Sequence, residues 1–211
     1  MNTSRFLLFL LISISISVAQ DLKIIQLPPP QTEIGKPLMQ ALKLRQSSRA
    51  FDSKPLPVQE LSNILWAADG INRVESGKRT APSAMNWQEI DLYIFLADGS
   101  FLYDAKSNTL TTIVQKDLRG MTGKQSFVNS APLNLVYVAD AKRTSQVSDE
   151  DRIRWTAADA AFIAQNVYLY CASQGLAAVV RGMVDREALT KELHLRPDQT
   201  IILAETVGYP K

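Results

Sequence analysis

Three short stretches of the chain carry side chains suited to holding a ligand. The first is Arg45-Gln46-Ser47-Ser48-Arg49. Two guanidiniums and two hydroxyls fall within five residues, where a helix is expected to end. Guanidinium groups offer bidentate, charge-assisted bonds to a phosphate, and serine adds neutral ones. Arginines there are also favourable against the helix dipole without any ligand, so the pattern alone leaves both roles open. The second is Ala81-Pro82-Ser83-Ala84-Met85-Asn86-Trp87-Gln88. Its amides, serine and backbone groups could bracket the polar edge of a heterocycle; the plainer alternative is a solvated loop with Trp87 tucked inward. The third is Val179-Val180-Arg181-Gly182-Met183, where a strand turns at a glycine. Lacking a Cβ, Gly182 lets backbone approach a flat ligand closely, or simply makes a strand-to-helix turn.

Other chemistries lack the residues they need. His194 and Cys171 are the only histidine and cysteine of 211 residues, so a zinc site, which takes three or four such ligands, is not expected. A histidine-dependent triad would have to be built on His194, in a charged and exposed stretch. Cys171 falls in an apolar helical pattern and reads as core packing. The formal charge of +2 is small and Lys and Arg are scattered, which speaks against a nucleic-acid partner.

The elements that must position these residues alternate without a strict βαβ rhythm. Leu38 to Leu44 reads as a short helix; a second follows Pro57, with Val58, Leu61, Ile64, Leu65 and Ala68 on one face and Gly70 as its stop. Residues 71–88 read as a long loop. Ile90 to Ala97, a segment from Phe101 and Leu110 to Val114 form a three-stranded antiparallel section, with Asp98-Gly99 marking the first hairpin. A short helix is expected from about Lys116, then an apolar, central strand from Pro132 to Ala139. Ser148 and Asp151 make a capping box for the longest helix, which runs to about Ser173 and stops at Gly175. Its apolar face carries Ile153, Ala157, Ala160, Ala161, Ala164, Val167, Tyr168 and Cys171; the small residues suit a central buried helix or one at a dimer interface. Leu176 to Val184 and Ile201 to Val207 add strands around a helix from Arg186 to Leu193. The class is α+β, a mixed central sheet surrounded by helices.

Residues 1–19 read as an export signal: Arg5 precedes an apolar run, and Ser17-Val18-Ala19 supplies small residues at a cleavage spacing. The run is short for a membrane span, although an uncleaved anchor is the alternative. The expected mature protein is periplasmic or secreted, with no stable membrane insertion. Residues 20–37, with Pro28-Pro29-Pro30, read as an extended arm, either a floppy linker or a segment packing on a partner subunit. Residues 38–211 form the domain.

In their order and spacing, the three motifs, the Ala-rich helix ending in Gly-Leu and the closing Gly208-Tyr209-Pro210 resemble the nitroreductase-like family of FMN flavoproteins over residues 38 to 210. The hairpin at Gly99, Tyr103-Asp104, Asp117-Leu118-Arg119 and the stretch from Phe127 to Ala139 resemble the branch that contains the azoline oxidases, although their Lys-Tyr pair is not found. The resemblance implies a homodimer with two FMN molecules at its interface. Arg45, Ser47 and Arg49 would hold the phosphate and ribityl chain, and Pro82, Ser83 and Ala84 would contact the isoalloxazine bound mainly by the other subunit. Asn86 and Gln88 would brace that loop, Gln125 would lie by the flavin pyrimidine, and Arg181 and Gly182 would present backbone near N5. The implied reaction is hydride or electron transfer through the flavin in a ping-pong cycle, between a redox donor and a nitroaromatic, quinone or peptide-azoline substrate. The alternatives are an envelope protein that binds flavin or another ligand without turnover, and a structural protein whose Arg/Ser cluster only caps a helix.

Overall fold

The computed structural model describes residues 23–144 and 147–211; the expected signal at 1–19 lies outside them. Thirteen elements position the motifs. They are β1 (Ile24–Gln26), α1 (Leu38–Leu44), α2 (Val58–Asp69), β2 (Ile71–Arg73), β3 (Lys78–Arg79), β4 (Ile90–Leu96) and β5 (Gly99–Asp104). Then come β6 (Thr109–Val114), β7 (Leu133–Asp140), α3 (Asp149–Gln174), β8 (Ala177–Arg181), α4 (Arg186–Glu192) and β9 (Gln199–Gly208). Seven strands form one sheet in the order β1-β6-β5-β4-β7-β9-β8. The α+β class stands, and every pairing in the sheet is antiparallel. The crossover through α3 returns β8 in the direction of β7, and β9 then fills the gap between them with the opposite direction.

The sequence explains why α3 forms and stops where it does. The Ser148 hydroxyl accepts from the Asp151 amide at 3.1 Å, with Asp149, Glu150 and Asp151 in the first turn facing the positive end of the helix dipole. At the other end Gly175 takes φ +76°, a left-handed cap that costs a glycine little. One side of α3, with Ala160, Ala164, Val167 and Cys171, is buried against the sheet and α2. Ile153, Ala157 and Ala161 instead face outward on the bare protomer, so the apolar face expected as one stripe is divided between two sides. On the opposite face of the sheet, Leu189 and Leu193 from α4 and its end close a second core over Tyr93, Phe95, Val136 and Val138. Each fully buried side chain of this size contributes about 1.5–3 kcal/mol through burial.

Four local expectations change. The arm does not hang free: β1 pairs with β6, and the Pro28 carbonyl accepts from Ser62 Oγ at 2.6 Å and Asn108 Nδ2 at 3.0 Å, which ties the arm to α2 and the β5–β6 turn of its own protomer. Residues 71–88 contain the β2–β3 hairpin rather than a plain loop. The helix expected from Lys116 is a 3-10 turn at Arg119–Thr122, because Asp117 accepts from the Arg119 amide and side chain and Gly120 and Gly123 interrupt any longer run. The strand expected to reach Val184 ends at Arg181, where the chain turns at Gly182.

Candidate functional site

At Arg45 the backbone leaves helical geometry for φ −55°, ψ 121°. The chain from there to Asp52 runs extended beside the outer edge of β8 and the C-terminal strand. The Ser48 amide donates to the Ala178 carbonyl at 2.9 Å, Phe51 bridges Pro210, and the Asp52 amide donates to the Tyr209 carbonyl at 2.9 Å. Gln46 and Ser48 line a cleft of about 210 Å³ together with Tyr168. The hub of the arrangement is Tyr168 of α3. Its hydroxyl lies 2.8 Å from Ser47 Oγ and accepts from the Val180 amide at 2.8 Å, while the Arg45 guanidinium sits 5.3 Å from its ring centre. Ser47 and Arg49 are exposed, and among the described residues neither Arg45 nor Arg49 forms an ion pair. Arg45 and Ser47 thus meet at Tyr168, with Arg49 exposed two residues on and no carboxylate paired with either guanidinium among the described residues, a donor set suited to an oxyanion.

The end of β8 lies beside this segment. The Arg181 side chain is 4 % exposed and committed to the fold. It donates to Thr206 Oγ1 at 3.0 Å, to the Thr122 carbonyl at 2.6 Å and to Asn134 Oδ1 at 3.0 Å, and burial lowers its pKa to about 10. The side chain is therefore unavailable to a ligand; the Gly182 carbonyl accepts from the Val184 amide and from Arg186, and a Cβ at Gly182 would point into open space. Gln125 joins the same end: Gly123 packs directly on the Arg181 guanidinium, and a Cβ there would lie 2.8 Å from Gln125 Oε1. That oxygen is buried with no hydrogen-bond partner among the described residues.

Pro82, Ser83, Ala84 and Asn86 occupy a loop with an unusual backbone. Met85, Asn86 and Gln88 have φ of 50°, 56° and 50°, a left-handed region that disfavours side chains other than Asn. The loop keeps this shape through side chains. Ser83 Oγ accepts from the Gln88 amide at 3.0 Å, Gln88 spans Arg79 and the Gly77 carbonyl, and the Ala84 amide donates to Asp159 Oδ2 at 2.8 Å. Asp159 and Tyr168 are nine residues apart on α3, about 14 Å along the helix. The loop and the Arg45 segment are therefore separate places on one protomer. Sequence reasoning passed over Tyr168, Asp159 and Glu89. An aspartate within an Ala-rich run was a readable signal; Tyr168 resembled its apolar neighbours.

Residues 42–209 match the nitroreductase family, and the chain belongs to it. A candidate nitroreductase of Methanocaldococcus jannaschii is 31% identical over 166 residues, 71% of this chain and 83% of that protein. A crystal structure of a candidate nitroreductase from Ralstonia eutropha superposes with TM-score 0.85 at 45% identity, covering 89% of this chain and 90% of that one. The fold alone is shared with the Escherichia coli microcin synthetase complex bearing truncated pro-MccB17 (TM-score 0.69, 16% identity, 79% and 70% coverage). It is also shared with a candidate nitroreductase in complex with FMN from Desulfovibrio desulfuricans (TM-score 0.60, 21% identity, 83% and 87% coverage). The family resemblance expected from the motifs is borne out by these relationships.

Proposed function

We propose that the protein is an FMN-dependent oxidoreductase that works as a homodimer. The observation that carries this reading is the pair of guanidiniums without counter-ions among the described residues, Arg45 and Arg49, flanking Ser47, which Tyr168 links to Val180 near the end of β8. An FMN phosphate fits that donor set in charge and in hydrogen-bonding type. Arg45, Ser47 and Arg49 hold the phosphate, and Tyr168 keeps Arg45 and Ser47 in place. The strand end at Arg181 and Gly182 offers backbone to the ring system. Gln125 presents an amide at the same end, where a nitrogen donor can stabilise negative charge gathering on a carbonyl edge.

The loop of Pro82, Ser83, Ala84 and Asn86 stands apart from that segment along α3 and is assigned to the partner's cofactor. Support for the dimer comes from apolar side chains left exposed on the protomer: Ile153, Trp155 and Phe162 on α3, and Leu38, Met39 and Leu42 on α1. A patch of this kind marks an interface. The bound flavin supplies the electron and hydride chemistry, so no nucleophile or general base is required of the chain. Nitroaromatics, quinones and peptide azolines are the substrate classes that the reading admits. Export through residues 1–19 belongs to the same proposal and is read by N-terminal sequencing of secreted material.

The test is a reduction cycle. Purified protein bleaches under dithionite and recovers its absorbance on adding a nitroaromatic or a quinone. Recovery no faster than free FMN shows under the same conditions would favour a flavin carrier without turnover.

A further inference from the structure

Beneath the Pro82 loop lies a group of carboxyls that the proposed function does not use. Glu89, the residue after the loop, is fully buried, and no hydrogen bond reaches either of its carboxyl oxygens among the described residues. It borders an internal space of about 10 Å³ together with Asp69, Ser83 and Asp159, at the lower limit of what one water occupies. Asp159 is buried as well and faces the same space as Glu89. Its Oδ2 accepts the Ala84 amide.

Among the described residues no cation is bonded to either carboxyl. Arg143, from the turn after β7, gives its hydrogen bonds to the Gln88 and Glu89 carbonyls at 3.0 Å each and pairs with Asp91 of β4 at 2.6 Å. Arg79 of β3 is bonded to Asp69 of α2 and to Gln88. Two adjacent buried carboxylates without a bonded cation repel strongly, and the usual resolution is that one keeps a proton. Asp159 is the natural anion, because it accepts a backbone amide. Glu89, with neither oxygen accepting a bond, is the natural acid.

We propose that Glu89 and Asp159 share one proton, and that Asp159 is the positioning residue which, through the Ala84 amide, fixes the Pro82–Ala84 wall of the partner's cofactor site. The role of that wall rests on the function proposed above; the shared proton does not. Burial, with the Asp159 carboxylate adding to it, raises the Glu89 pKa to about 7, and burial moves that of Asp159 upward against the opposing effects of the Ala84 amide and Glu89. As pH rises through that value the pair acquires a second negative charge. The aspartate is then repelled from its tether, and a loop with three left-handed residues loses its main support from α3. Asp69, also raised to about 7 by burial, titrates nearby, so the experiment is done in an Asp69→Asn background.

Two readouts separate the pair from the cofactor. In the full chain without added ligand, infrared difference spectra should show a protonated carboxyl band that titrates near pH 7 and disappears in Glu89→Gln. Exchange of the Ala84 amide should quicken at least tenfold in Asp159→Ala. With FMN added, affinity should fall about threefold or more from one pH unit below that midpoint to one above it. Glu89→Gln, which keeps a neutral donor in place, should remove that dependence. A missing carboxyl band, or unchanged Ala84 exchange in Asp159→Ala, would overturn the proposal, as would an undiminished pH dependence in Glu89→Gln. If FMN fails to bind at any pH while the band and the exchange behave as stated, the flavin assignment falls and the proton-sharing tether stands.

Discussion

Replacing Arg45 and Arg49 together by alanine removes both guanidiniums from the proposed phosphate site and should weaken FMN binding about a hundredfold. A hydrogen bond to a charged group is worth about 1.5–3 kcal/mol, and each 1.4 kcal/mol is a factor of ten in affinity. Two such groups set a range of about 3–6 kcal/mol. Arg49 is exposed and Arg45 half-buried, so solvent screening places the loss at the lower end of that range. The assay is quenching of FMN fluorescence on titration into apoprotein. The loss should shrink as salt is raised, because salt screens exposed charge. Arg154→Ala is the control: that arginine pairs with Glu150 and Asp151 in the first turns of α3, away from the site. Arg45 also lies over the Tyr168 ring, so circular dichroism must show the double variant folded. A folded double variant that binds FMN within threefold of the parent would refute the phosphate assignment.

Three further outcomes follow from the geometry. Glu205 is fully buried and accepts from Tyr137, and burial raises its pKa from 4.5 to about 8. A carboxyl that binds its proton more tightly when folded gives stability that is present in full below about pH 4.5 and lost as pH rises to about 8, with a slope of up to about 1.4 kcal/mol per pH unit. Thermal denaturation of Glu205→Gln should flatten that fall; a parallel pH profile would contradict it. Gly123→Ala drives a methyl group into the Arg181 guanidinium and should cost about 2 kcal/mol or more by breaking buried hydrogen bonds, read as a lowered Tm; an unchanged Tm would count against this packing. Phe162→Asp places a charge among the exposed apolar residues of α3 and should shift sedimentation from dimer to protomer mass, whereas an unaltered dimer would move the interface elsewhere.

What the sequence revealed was mostly local. Ser148 with Asp151, Gly175 and the Asp98-Gly99 turn each act through neighbours a few residues away, and each predicted its element. The three motifs were visible because guanidinium pairs, turn residues and a strand-end glycine are unusual compositions. What stayed hidden depended on distant partners. β1 is three residues whose partner strand lies more than eighty positions later, and a short apolar pair before three prolines gave no pairing signal. Tyr168 has the periodicity of a core residue, and its hydroxyl matters only because the outer edge of β8 and Ser47 meet it. The buried state of Glu89 likewise depends on α3 folding over the base of the loop. The division of α3 into a buried side and an open side could not be read from an apolar pattern that continues around both.

The central claim is that this chain holds a flavin phosphate between Arg45 and Arg49. Its most direct test is to purify the protein after expression with ample riboflavin, release any bound chromophore by denaturation and identify it by mass. The expected result is FMN at close to one molecule per protomer. Recovery of a folded protein without FMN that also fails to take it up from excess would contradict the account.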